Sequence, residues 1–150
     1  HPPRDTACAP ASPALRGEEG LQREGWRLLD ANATRAREGL RVLEDTARFV
    51  LDRPEASRAL RRLRHGLDGL VRKHYRTLLR GRDTENDSGR RRPAMPHARV
   101  EDLVAANCKR CEEALRVLEE YGRLLSPAAV KAAQALRFEV YQWEKKLLQP

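Results

Sequence analysis

The stretch Leu28-Leu-Asp-Ala-Asn32-Ala-Thr-Arg35-Ala-Arg-Glu38-Gly-Leu-Arg-Val-Leu-Glu44 returns 75 positions later as Leu103-Val-Ala-Ala-Asn107-Cys-Lys-Arg110-Cys-Glu-Glu113-Ala-Leu-Arg-Val-Leu-Glu119. Extended to Arg48 and Arg123, the comparison gives 11 identities in 21 positions. Unrelated segments share about one or two at ordinary residue frequencies. The chain therefore carries an internal duplication, and both copies keep Asn-x-x-Arg-x-x-Glu-x-Leu-Arg-Val-Leu-Glu.

Each copy has the periodicity of a helix. Leu29, Ala33, Ala36, Leu40, Leu43, Ala47 and Val50 alternate steps of four and three, the apolar seam of a packed helix. Val104, Cys108, Cys111, Leu115, Leu118, Gly122 and Leu125 repeat it. A second stripe, Asn32, Arg35, Gly39, Val42, Thr46 and Phe49, widens the expected buried face and is matched by Asn107, Arg110, Ala114, Val117 and Tyr121. A buried polar group without a partner costs about 1–3 kcal/mol. Asn32, Arg35, Asn107 and Arg110 thus either cap and cross-link helices or build a ligand site from both copies.

Outward from the repeat, residues 1–24 read as a disordered tail or as a remnant of foreign sequence, and residues 25–150 as one helical domain. Four helices are expected: Trp26–Leu51, Glu55–Arg80, Glu101–Leu125 and one from Pro127 to about Gln149. Pro54 breaks the first pair, and Ser126-Pro127 stops one helix and starts the next. The fold class is all-α, with two duplicated αα-hairpins forming a four-helix bundle. Arg64 and Arg137 fall at similar places in the second helix of each hairpin, a fainter echo of the duplication.

Composition fits this architecture. Aromatics are 5% of the chain, so the core must come from Leu, Val and Ala. Five lysines among 30 basic residues leave 25 arginines, and the net charge is +8. Arginine suits phosphate and carboxylate partners, although a GC-rich genome produces the same bias. No segment approaches the roughly 18 apolar residues of a membrane span, and no secretory signal is visible. Three cysteines argue against a disulfide framework, so a cytoplasmic location is expected. Cys108 and Cys111 replace Ala33 and Ala36 on the seam and read as core residues rather than zinc ligands.

The segment from 81 to 99 is longer than a compact domain usually tolerates without a role. In an up-down-up-down bundle the two repeated helices start at the same end, and this segment lies there too. Asn32, Arg35, Asn107 and Arg110 would then converge with Arg82, Asp83, Thr84 and Asp87, and with Lys73 and His74 one turn back. Loop carboxylates beside arginines suit a magnesium–phosphate complex, because magnesium takes one or two carboxylates while guanidinium groups clamp the phosphate. Asp83 and Asp87 are the expected metal ligands. With Arg110 they form the expected catalytic set, and Asn32, Arg35, Arg82, Thr84, Asn107, Lys73 and His74 the expected binding set. No G-x-x-x-x-G-K-[ST] or G-x-G-x-x-G motif is present. His65 reads either as a base or as a core histidine. Glu38 and Glu113 read either as solvated or as partners of a site arginine, and Arg37, Arg41, Glu44, Asp45 and Arg48 as mostly solvated.

Leu29-Asp-Ala-Asn32, Arg35-Ala-Arg-Glu38-Gly-Leu-Arg-Val-Leu-Glu44-Asp, Leu63-Arg64-His65, Arg82-Asp83-Thr84, Asp87-x-Gly89 and Asn107-x-x-Arg110-x-x-Glu113-Ala-Leu-Arg-Val-Leu-Glu119 occur in one order over residues 27–148. The combination resembles the hydroxymethylpyrimidine phosphate kinase of the second type, the small helical domain at the N-terminus of many bacterial thiamine-phosphate synthases. The resemblance implies transfer of the ATP γ-phosphoryl group, with Mg2+, to 4-amino-5-hydroxymethyl-2-methylpyrimidine phosphate. It implies pyrimidine phosphate and ATP as small-molecule partners, and a fused or separate synthase domain as a macromolecular one. Oligomerisation is left open. The alternative reading is a basic helical module for nucleic acid or a non-catalytic interaction domain. Basic residues interleaved with acidic ones, rather than gathered in a stripe, make nucleic acid the weaker choice.

Overall fold

The computed structural model describes residues 18–149, with side chains from residue 22 onward. Among them are five α-helices and no strand: α1 (Glu18–Asp45), α2 (Pro54–Arg72), α3 (Tyr75–Gly81), α4 (Val100–Leu125) and α5 (Pro127–Leu148). Residues 18–24, expected in the tail, form the first turns of α1, and the rest of that expected tail lies outside the described residues. No helix among the described residues is long and apolar enough to cross a membrane.

The seams pack as the periodicity requires. Leu40, Leu43, Leu60, Leu67, Leu115 and Val140 are fully buried in one core that also takes Ala36, Cys108 and Cys111. Each buried leucine contributes about 1.5–3 kcal/mol of hydrophobic stabilisation. Val42 of the second stripe sits at the edge of the buried face, 38% exposed, and Val50 and Phe49 leave the expected pattern altogether, 61% and 70% exposed. The cause is local: after Asp45 the chain makes a π-helical turn, Thr46–Val50. The wider turn keeps Thr46 and Ala47 buried but rotates its own last two residues, Phe49 and Val50, off the seam. Thr46 Oγ1 donates back to Val42 O at 2.7 Å, and Arg53 N donates to Ala47 O at 2.8 Å. Asp52 reverses the chain at φ 50°, left-handed backbone that Asp tolerates better than most residues, and Pro54 opens α2.

The second expected helix is two. His74 leaves helical geometry (φ −110°, ψ 8°), and its N–H donates to Val71 O. The bend lets α3 fold against the start of α1, where Trp26 stacks on His74 with ring centroids 5.0 Å apart. A Cβ at Gly81 would come within 3.0 Å of the Arg27 backbone, so this approach needs glycine.

The two repeated helices run antiparallel, which corrects the expectation that they begin at the same end. Gly25 meets Leu125, Ala36 O lies 3.5 Å from Cys111 Sγ, and Gly39 packs on Asn107 O and Cys111. Ala36 and Cys111 are equivalent positions of the repeat, so a local two-fold axis passes through their contact. The reversal is possible because the long connection need not turn tightly. Its roughly 18 residues can reach about 60 Å, more than the ~39 Å of a 26-residue helix.

The same symmetry appears in two ion pairs the charge pattern did not reveal. Arg64 grips Glu44 at 2.8 and 3.4 Å, and Arg137 grips Glu119 with both nitrogens of its fork. Glu44 and Glu119 are equivalent in the repeat, and both are buried. Glu44 therefore does not belong to the solvated face. His65 is exposed, neither a core residue nor enclosed in a site.

Candidate functional site

The connection between α3 and α4 is anchored to α1. Arg82 closes a two-pronged bond on Asp30, with both contacts at 2.8 Å, and Arg27 donates to Asp83 O at 3.1 Å. Asp30 is buried, so this pairing satisfies a carboxylate that would otherwise be stranded. Beyond it, the Asp83 carboxylate accepts from the Asn86 N–H at 3.1 Å and from the Asn86 amide at 2.9 and 3.1 Å. These bonds, side chain before backbone, lower the Asp83 pKa and keep it ionised. Asp87 Oδ1 accepts from Gly89 N at 2.8 Å. Such Asp-to-backbone bonds are the ordinary way a polar loop fixes its own path.

So held, the loop lies along the α1–α4 face rather than capping one end. It bounds two adjoining open depressions of about 310 and 720 Å³. The smaller is lined by Asp30, Arg35, Arg82, Asp83, Thr84, Asp87 and Arg110, among others. The larger holds Asn32, Arg90, Arg92, Lys109 and Glu113, and shares Arg35, Asp87 and Arg110 with the first. Arg35 and Arg110 are two-fold mates from the two copies, both exposed at the groove. Glu38 reaches Arg110 at 3.7 Å while remaining 63% exposed, so it is both solvated and paired.

Most of the residues singled out from sequence meet here: Arg35, Arg82, Asp83, Thr84, Asp87 and Arg110 around one depression, Asn32 in the next. Asn107 does not line either, because antiparallel packing puts it across the two-fold axis from Asn32. Both amides are spent locally, donating to Leu28 O at 3.0 Å and Leu103 O at 2.9 Å, one turn back in their own helices. Lys73 and His74 are elsewhere. Lys73 is exposed near Arg37 and Asp68, and His74 faces an apolar cavity with Trp26, Leu29 and Leu78. The bend at His74 is what separates them from the loop. Arg82 is present but occupied by Asp30 and acts as an anchor. Sequence reasoning missed Asp30, Arg27 and Lys109. The Asp30–Arg82 pair has no counterpart in the second copy, where position 105 is Ala, so the repeat gave no signal for it.

A magnesium ion takes one or two carboxylates from protein and completes its shell with water and phosphate oxygens. Asp83 and Asp87 supply that number beside two arginines, so the donor set fits. Among the described residues no group of three or more His, Cys, Asp or Glu could hold a metal by itself. A metal here would rely on oxygens brought by the ligand.

A family model described as "ThiD2 family" matches residues 27–146. The chain belongs to the ThiD2 family. Its similarity to curated proteins is substantial. It is 44% identical over 130 residues to a protein named thiamine-phosphate synthase from Synechococcus sp. (strain CC9605), covering 85% of this chain and 36% of that protein. A protein of the same name from Nostoc punctiforme is 39% identical over 137 residues, covering 87% and 37%. One from Synechocystis sp. is 44% identical over 128 residues, covering 81% and 36%. This ThiD2-family chain thus spans just over a third of the length of these relatives. No solved structure matches it significantly.

Proposed function

We propose that the chain acts in thiamine biosynthesis as an ATP-dependent kinase that converts 4-amino-5-hydroxymethyl-2-methylpyrimidine phosphate to the diphosphate. The observation that carries this reading is the meeting of Arg35 and Arg110 with Asp83 and Asp87 on one groove. Arg35 and Arg110 clamp phosphate oxygens from opposite sides of the two-fold axis, each able to bond two oxygens at once. Asp83, held ionised by Asn86, and Asp87 would hold Mg2+, which would offset negative charge on the phosphates. Thr84 stands beside them as a hydroxyl partner for a phosphate oxygen. The acceptor is already a phosphate anion, so the residues need only position and neutralise, and no strong general base is required. Membership of the ThiD2 family and likeness to proteins named thiamine-phosphate synthase support the pathway assignment.

The decisive assay is ADP release by purified protein with Mg-ATP and the pyrimidine monophosphate. Turnover dependent on both substrates is expected. Its absence, with a folded protein, would overturn the reading. A second reading follows from the length of the relatives: a non-catalytic domain that serves an attached or separate synthase. It expects no ADP release, and stimulation of a synthase domain instead.

A further inference from the structure

On the larger depression, Lys109 is tied from behind. Its Nζ lies 3.4 Å from Glu112 Oε2 and 3.3 Å from Glu144 Oε1, one carboxylate on α4 and the other on α5. Glu112 is only 4% exposed. The far oxygens, Glu112 Oε1 and Glu144 Oε2, are buried and have no partner. Two carboxylates sharing one ammonium, Glu112 buried and Glu144 21% exposed with its far oxygen buried, carry an uncompensated negative charge, and two orphaned acceptors besides. One proton between the far oxygens removes both penalties, leaving a singly charged pair neutralised by Lys109. Burial first, and then Glu144, push Glu112 up to about 7, against the pull of Lys109. Nearby on α4 lie the thiols of Cys108 and Cys111, along with Glu113 and Arg116; burial pushes both thiols up to about 12, so they stay neutral. From the opposite side α1 presents Ala36 and Gly39 to Cys111.

Lys109 is 59% exposed and lines the groove with Arg35, Arg90, Arg92 and Arg110. We propose that Glu112 and Glu144 share one proton and act as positioning residues for Lys109, so that an anion drawing Lys109 into the groove makes the pair take up a second proton. The inference rests on the phosphate-groove reading above and adds a sixth side chain to it. It makes anion capture proton-linked: the lysine's charge passes to the ligand, and solvent replaces it at the pair.

The test is a carbon-detected NMR titration of side-chain-labelled glutamates with and without inorganic diphosphate, following the Arg35 and Arg110 side chains in the same samples. In the free protein Glu112 should titrate near neutrality, and Glu144→Gln should return it toward the ordinary carboxylate range. Saturating diphosphate should raise the Glu112 midpoint by about one unit or more. Lys109→Met should raise it without ligand and abolish the further shift. A Glu112 midpoint in the ordinary range, or diphosphate binding at Arg35 and Arg110 with no movement of Glu112, would overturn the inference. Failure of diphosphate to perturb either arginine would instead overturn the groove reading, and the proton linkage with it.

Discussion

Arg137 and Glu119 repeat, in the second half of the chain, the pairing that Arg64 and Glu44 make in the first. In each, a carboxylate near the end of the duplicated helix is held by both arms of an arginine from the helix that follows. Glu119 is the more buried of the two acids, 1% exposed against 7%. Removing one partner from such a buried pair leaves the other charged and alone, at a cost of about 3–5 kcal/mol. Glu119→Ala should therefore destabilise by about that amount in urea unfolding, and Glu44→Ala by less. Equal, negligible losses would show these pairs to be unimportant for stability.

Gly39 is one place where α1 and α4 pack closely. A Cβ there would sit 2.6 Å from Cys111 Sγ. Gly39→Ala should cost about 1–3 kcal/mol through overpacking. Cys111→Ala should recover much of that loss in the double variant, because the shortened side chain vacates the same space. The two sites should thus be non-additive in a double-mutant cycle.

The groove residues separate by role. Asp83→Asn and Arg110→Ala should each reduce turnover at least about tenfold, the range over which one charged contact of about 1.4 kcal/mol or more acts. Arg82→Ala should act differently. It strands the Asp30 carboxylate and frees the loop, so proteolysis near residues 83–89 should accelerate along with any loss of activity. Full activity in all three variants would remove the groove from the mechanism.

The pH dependence of stability should carry the signature of Glu112. Its folded pKa, about 7, lies above the roughly 4.3 of an unfolded glutamate. The folded state thus holds more protons than the unfolded state between those values, and stability falls as pH rises through that window. The loss is complete above the folded value. Glu112→Gln should flatten this fall and exceed the wild type in stability at pH 8, measured by denaturant midpoint. Asp83 works in the opposite sense: its lowered pKa favours the folded state above the ordinary aspartate range, and that contribution is lost on acidification.

The helical content and the core were legible because apolar spacing states them directly: Leu29 to Ala47 and Val104 to Gly122 lie where their periodicity puts them. Direction was not legible. A linker of this length permits either orientation of α4, and only contacts spread along the two helices, Gly25 with Leu125 and Gly39 with Asn107, decide it. The arginine pair and loop acids were picked out as charge types suited to phosphate, and the fold brings them to one groove. Lys73 and His74 were misplaced because nothing in Arg72-Lys-His74 announces a bend. Glu44 and Glu119 were recoverable in principle, since both copies keep them and an arginine recurs in the next helix.

The crossing of α1 over α4 has one further consequence. The groove floor repeats Arg35 in Arg110 and Glu38 in Glu113, but Lys109 answers to Thr34 and Asn107 stays off it, so its two ends are already unlike. The span from Arg82 to Arg92, which has no twin in the repeat, lies against this floor and adds to that difference. On the proposed phosphate-groove reading, an asymmetric guest would be oriented by that span together with Lys109, and the choice of guest could change with them while the helices beneath stayed as they are.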